Sequence, residues 1–298
     1  MLHFSRFSFL TGSFKLALAA CACSIGMATA RAHDTWFERL ERGAASTGAA
    51  AQLALGTGNQ FPIRETGVGM EYLVRQGCRA AAALDGTGPG QAMQRERNTD
   101  NALVLRAPLR SVSCWAQLQP FDIELKAPLV AVYLKEIEAP ASVRQAWAEQ
   151  QAQGLSWTER YVKHARIALT AQGSDQPVPM GMDVLVDPQS TTGAAPAGTS
   201  PPPPPSSSSS SSVNQLRARQ PISFVVLRDG LPLAGQAVEL RLESISLGIW
   251  RRTDAQGRVQ LPGLPAGHWL LRGTELRPGA AAGVGWESRF FTLAFELR

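Results

Sequence analysis

Short apolar or alternating runs dominate the first two thirds of the chain. They fall at 51–55, 71–75, 102–106, 112–118, 121–125 and 129–134, with Gly, Pro, Asn and Asp between them. This is the punctuation of strands joined by turns. Val112, Cys114, Ala116 and Leu118 fall on one face of their run, and Ser111, Ser113, Trp115 and Gln117 on the other. A period of two predicts a half-buried strand. Two helices are expected to interrupt the strands. Pro140 opens the first, which ends near Gly154, and Ser156-Trp157-Thr158-Glu159 reads as a capping box that starts the second. On that second helix Trp157, Tyr161, His164 and Ala168 lie close to one face.

Beyond residue 212 the pattern is cleaner. A strand at 222–227 precedes the turn Arg228-Asp229-Gly230, and an alternating strand covers 235–242. Thr253–Arg258 forms a turn in which Gly257 supplies the positive φ, and Val259 and Leu261 begin a further strand. Pro265-Ala266-Gly267 turns again before 268–272, and 290–297 closes the chain. The fold class expected is mainly β. It comprises two β-sandwich domains of immunoglobulin or prealbumin-like type, the first (33–189) with a helical insertion at about 140–170 and the second at 213–298.

The region between these halves, 190–212, is a Gly/Ala/Thr-rich stretch followed by Pro201–Pro205 and Ser206–Ser212. Such composition buries too little apolar surface to offset ordering entropy and reads as a disordered linker. At the other extreme, residues 1–32 read as a signal peptide: Arg6 and Lys15 without an acid, an apolar stretch from Leu16, then small-x-small cleavage sites ending at Ala30 and Ala32. The apolar stretch is too short to span a bilayer. The expected location is periplasmic or secreted. The alternative is a lipoprotein anchored through Cys21, because Leu18-Ala19-Ala20-Cys21 resembles a lipobox.

Removing 1–32 takes away Arg6, Lys15 and Arg31 and no acid, so the formal charge falls from +5 to +2 (5 − 3). With no basic cluster interleaved with aromatics, a nucleic-acid partner is not expected. Cys78 and Cys114 remain as a pair, which in an oxidising compartment reads as a disulfide. A two-cysteine metal site is the alternative, though the pair lacks CxxC spacing.

Several motifs carry a family resemblance. Asp229-Gly230-Leu231-Pro232-Leu233-Ala234-Gly235, Thr253–Val259 and Leu264–Leu271 resemble a carboxypeptidase-regulatory or prealbumin-like sandwich. Ala32-His33-Asp34-Thr35-Trp36, Gly58-Asn59-Gln60-Phe61-Pro62, Glu159-Arg160-Tyr161-Val162-Lys163-His164-Ala165, Trp286-Glu287-Ser288 and Thr292-Leu293-Ala294-Phe295 occur in that order. Together they resemble the exported bacterial family called domain of unknown function 4198, often labelled as a nickel- or cobalt-uptake accessory. The Pro/Ser insert departs from that pattern. The resemblance implies an envelope location and metal handling beside an inner-membrane transporter.

His33 is the leading chemical candidate. Cleavage after Ala32 gives it an α-amine, which forms a bidentate chelate with its own Nδ1. Cleavage after Ala30 makes it the third residue, with four nitrogens in a plane, an arrangement that suits Cu(II) or Ni(II). Besides His33 only His164 and His268 survive processing as imidazole ligands, with Asp34 and Glu275 as candidate carboxylates. The expected metal set is therefore His33, His268, His164 and Asp34, for nickel, cobalt or copper. The chain has no GxSxG elbow, HExxH helix or P-loop, and no catalytic residue is assigned. The competing reading is a non-enzymatic cell-envelope module that binds a protein or glycan without metal.

Overall fold

A computed structural model describes residues 33–40, 50–80, 90–170, 176–187, 216–280 and 285–298. The expected signal peptide with its two cleavage sites, Cys21 and the whole expected linker at 190–212 lie outside the described residues. In the first half the chain forms β1 (Asp34–Arg39), β2 (Gln52–Gly58), β3 (Thr66–Gly67), β4 (Leu73–Ala80), β5 (Gln94–Asn98), β6 (Leu103–Arg106), β7 (Ser111–Leu118), β8 (Phe121–Leu125), α1 (Ala127–Glu136), α2 (Ala141–Ala152), β9 (Trp157–Ala168) and β10 (Met182–Val186). The second half forms β11 (Ile222–Arg228), β12 (Leu231–Pro232), β13 (Ala237–Leu242), β14 (Ile249–Arg252), β15 (Arg258–Leu261), β16 (Gly267–Pro278) and β17 (Trp286–Leu297). The protein is mainly β, with antiparallel and mixed sheets.

The described strands make three sheets. The largest has eight strands in the order β14-β13-β16-β17-β9-β7-β4, with β8 also on β9. It draws on both halves of the sequence, because β17 pairs in parallel with β9 from Trp286↔Glu159 to Ala294↔Ile167. A five-stranded sheet (β1-β2-β6-β5, with β3 on β2) lies on one face of it and a four-stranded sheet (β10-β11-β12, with β15 on β11) on the other. Side chains that alternate along β17 serve both layers: Phe291, Leu293 and Phe295 enter one core and Ala294 the other. The insert at 190–212 joins strands of a single sheet, since β10 before it and β11 after it are antiparallel neighbours from Met182↔Arg228 to Val186↔Phe224.

Several sequence expectations are corrected. Residues 156–168 are not a helix but the central strand β9, bonded to β7, β8 and β17. The capping-box carboxylate of Glu159 accepts instead from Tyr133 Oη at 2.9 Å, Trp157 Nε1 at 2.8 Å and Ser288 Oγ. Ladder bonds on both sides of the segment outweigh a local capping motif. Residues 129–134 are not a strand; they lie in α1, which begins with Pro128 in its first turn. A short apolar run fits either element, and proline early in a helix costs nothing because its missing N–H would be unpaired there. The strand at 112–118 forms as expected, but Ser113 and Trp115 are buried as well as Cys114 and Ala116. Both faces of the large sheet are covered, so it is buried on both sides rather than half-buried.

The expected disulfide is present. Cys78 and Cys114 face each other across the β4–β7 ladder with Cα atoms 4.0 Å apart. Closing 36 residues into a loop stabilises the fold by roughly 3–4 kcal/mol in the chain-entropy view.

Candidate amino-terminal site

β1 crosses the large sheet on the face opposite the four-stranded sheet. Thr292 Oγ1 of β17 donates to the Thr35 carbonyl at 2.7 Å. Asp34 is buried and accepts from Arg272 Nη1 at 2.7 Å, while Arg272 Nε donates to Glu239 at 2.6 Å. Burial works against the charge of Arg272, but the Asp34 and Glu239 carboxylates outweigh it and raise its pKa above the ordinary value. Asp34 is thus committed to a structural ion pair. Glu275 is committed likewise, 3.0 Å from Arg228 Nη1.

His33 emerges from this anchored strand at the surface, 49 % exposed, with its Nε2 3.6 Å from the Glu65 carboxylate. Asn59 Nδ2 donates to the same carboxylate oxygen at 2.8 Å. The described part of the first motif, His33–Trp36, and Gly58–Pro62 are brought together here. Asp34 pairs with Gly58 across β1 and β2, and Trp36 packs edge-on to Phe61 at 5.8 Å. Gly58 is required for this fit, because a Cβ there would overlap the Ile63 carbonyl and come within 2.9 Å of the Trp36 ring. A cis bond at Phe61-Pro62 belongs to the turn that returns the chain to Glu65.

The other two histidines lie elsewhere. Arg39, at the far end of β1, acts electrostatically on Glu296, and Glu296 pairs with His268 across β16 and β17. His33, next to Asp34 which bonds Arg272, and His268, four residues before Arg272 on β16, are thus separated along the sheet and share no hydrogen bond or ion pair. His268 sits between Glu243 (3.6 Å) and Glu296 (3.7 Å). His164 is in register with Phe291 and points to the opposite face of the large sheet from β1. It is buried, and its Nδ1 meets the Phe290 carbonyl at 3.0 Å. Burial pushes its pKa down to about 4, with Arg289 adding to the effect.

The expected set of His33, His164, His268 and Asp34 is thus not brought together. Among the described residues no group of three or more His, Cys, Asp or Glu is arranged to hold a metal ion. Glu65 and Asn59 were not identified from the sequence as neighbours of His33. Their only sequence signal was the Gly58–Pro62 motif, and the turn that follows it carries Glu65 back.

The geometry does suit a metal in one specific way. The Glu65 carboxylate lies near Nε2, at an ion-pair distance of 3.6 Å that is longer than a hydrogen bond. Metal-bound histidines characteristically donate their other ring N–H to a carboxylate, and Glu65 is the carboxylate nearest to that position here. No helix among the described residues is long and apolar enough to cross a membrane. No protein-family model, curated protein or solved structure matches this chain.

Proposed function

We propose that this is an exported metal-binding accessory protein that presents nickel, cobalt or copper to an envelope transporter. In this reading the mature chain begins at His33. The metal is held by the new α-amine and Nδ1, and Glu65 orients the ring through Nε2. The single observation that carries the reading is the Glu65 carboxylate, which accepts from Asn59 at 2.8 Å and lies 3.6 Å from His33 Nε2. The resemblance of the ordered motifs to domain of unknown function 4198 supports it. So does the arrangement of two sheets on opposite faces of a third, which we read as two sandwiches of immunoglobulin or prealbumin type sharing a sheet. Imidazole and amine nitrogens suit these metals, which lie toward the upper end of the stability order.

Titration calorimetry on protein whose intact mass shows cleavage after Ala32 tests the proposal. Ni(II), Co(II) or Cu(II) binding weakens in His33→Ala and on acetylation of the amine. In Glu65→Gln it weakens about 10–100-fold, the usual effect of losing an outer carboxylate. Binding no tighter than about 1 mM in the correctly processed protein overturns the proposal and favours the metal-free protein- or glycan-binding reading.

A further inference from the structure

The connection between β13 and β14, 243–248, exposes an apolar tip. Leu247 is 80 % exposed and Ile245 51 %. No charged residue occurs from 244 to 250. The tip has a fixed root. The Leu242 carbonyl accepts from the Ile245 N–H at 3.1 Å, and the Glu243 N–H donates to the His268 carbonyl at 3.0 Å. Gly248 packs against the buried Glu239 carboxylate, which a Cβ there would overlap. Trp250 follows on β14, half-buried, with the Arg272 guanidinium 5.9 Å over its ring. Single exposed apolar side chains are ordinary, but two at the tip of a rooted turn, backed by a tryptophan, mark an interaction surface.

The charges around this tip are mostly positive. Arg251 and Arg252 are exposed and reach only carbonyls: Arg251 Nη1 that of Trp250 at 2.8 Å, and Arg252 those of Gly235 and Glu138 at 3.1 Å each. Arg217 and Arg219 are exposed at the same end of the molecule. They are held there by backbone bonds between Arg298 and both Leu216 and Ala218, and from the Arg219 N–H to the Leu264 carbonyl. Leu297, before Arg298, pairs with Gly267, the neighbour of His268. Among the described residues none of these four arginines meets a carboxylate. Two acids oppose them: Glu243 and Glu296 flank His268, and Glu296 is already paired with Arg298 at 2.9 Å. Five arginines against two carboxylates leave this end at +3 (5 − 2). Asp187, nearby, is balanced by Arg258 at 3.2 Å.

From this arrangement we infer that the 243–252 hairpin docks this end of the protein on a membrane surface that carries acidic phospholipid headgroups. Ile245 and Leu247 enter the acyl boundary, Trp250 lies at headgroup level and the arginines hold the phosphates. The order along the chain is the one such an interface requires, with aliphatic residues first, then the tryptophan, then the basic pair. Strand residues advance about 3.3 Å each, so Arg251 and Arg252 stay among the phosphates while the tip penetrates roughly 5–10 Å. A protein partner is the poorer fit. A stable protein interface covers about 800 Å² on each side and is depleted of charge at its centre. Here the exposed apolar surface is two aliphatic side chains beside unpaired charges of one sign. β14 is an edge strand among the described residues, but two consecutive arginines oppose the addition of another strand there.

The test is co-sedimentation of the metal-free processed protein, whose intact mass shows neither signal nor lipid, with two kinds of vesicle. One is phosphatidylcholine alone, and the other is phosphatidylcholine and phosphatidylglycerol in equal parts. Binding is expected to the acidic vesicles, to weaken with added salt and to be far weaker on the neutral ones. Trp250 reports the insertion, because the other six tryptophans are buried. Its emission should shift to the blue and be quenched by brominated lipid. Replacing Ile245→Ser and Leu247→Ser together should weaken binding at least about tenfold. Arg251→Gln should weaken it about fivefold, as should Arg217→Gln, with the melting temperature unchanged. The inference fails if acidic vesicles bring down no protein. It fails if neutral vesicles bind as tightly, or if the folded double variant binds as the wild type does. Self-association that the double variant abolishes, without vesicle binding, assigns the tip to a protein contact and also overturns it. None of these variants touches His33, so the amino-terminal site is tested separately.

Discussion

An unfolded His164 takes up its proton near pH 6.5, whereas the folded residue, stripped of water, does so only near pH 4. Between these values the unfolded chain binds more protons, so stability falls as pH falls through this window. The full effect is about 3 kcal/mol, from a shift of roughly two to three pKa units at 1.36 kcal/mol each. Arg289 and Asp229, the charged groups beside the imidazole, act in opposite directions on it. Urea denaturation of the wild type and of His164→Gln from pH 7 to pH 4 should show the wild type losing stability relative to the variant on acidification. A constant difference across that range would remove the account. His33 shows the opposite circumstance: it is half-exposed at the end of an anchored strand, 3.6 Å from the Glu65 carboxylate.

The two helices pack on the sheet through an aromatic cluster, in which a buried carboxylate bonds α1 and a tryptophan of α2 meets the sheet. Glu159 joins Tyr133 of α1, Trp157 of β9 and Ser288 of β17, while Trp157 stacks on Trp286 at 4.6 Å and meets Trp147 of α2 edge-on at 5.2 Å. Burial raises the Glu159 pKa above the ordinary carboxylate value, against the opposing effect of its three donors. Its charge also helps to raise Tyr133 well above the usual phenol value, after burial itself. A raised carboxyl binds its proton more readily in the folded chain. Its contribution is complete below the unfolded carboxylate pKa and is lost as pH rises through the folded value. Relative to Glu159→Gln, the wild type should therefore gain stability on acidification, the reverse of the His164 comparison. Glu159→Ala leaves three buried donors without their acceptor and should cost about 2–3 kcal/mol in denaturant unfolding at neutral pH.

At the scale of the whole molecule, contacts between distant parts of the sequence hold the layers together. Asp34 and Arg272 are separated by 238 residues and form one buried ion pair, and the parallel seam between β9 and β17 binds the two halves into one sheet. The 190–212 insert has a different place. The chain departs after β10 and returns to β11, and these strands are already paired side by side, with Asp187 N–H bonded to the Ser223 carbonyl at 2.8 Å. Deleting 201–212 shortens a connection whose ends are fixed by the sheet. Loop-closure entropy then changes by about half a kcal/mol or less. The melting temperature of the deletion variant should stay within a few degrees of the wild type, and a large fall would show that the Pro/Ser run makes stabilising contacts.

Local alternation was enough to read β7 and β13, because a strand with a consistent face carries its period in its own residues, and the pairing of Cys78 with Cys114 followed from the even cysteine count. The turn at Gly257 was equally legible, since its φ of 70° suits glycine. Local sequence did not decide 129–134 or 156–168. The first is apolar enough for a helix or a strand, and the second carries a capping motif that long-range ladders override. The site divides in the same way. The sequence singled out His33 and the motifs around it. Only the tertiary structure placed Glu65 beside its imidazole, set His268 between Glu243 and Glu296 and turned His164 to the opposite face. The physical reason is that side-chain period and turn chemistry are properties of neighbouring residues. Which faces meet depends on strand pairing between segments far apart in the chain.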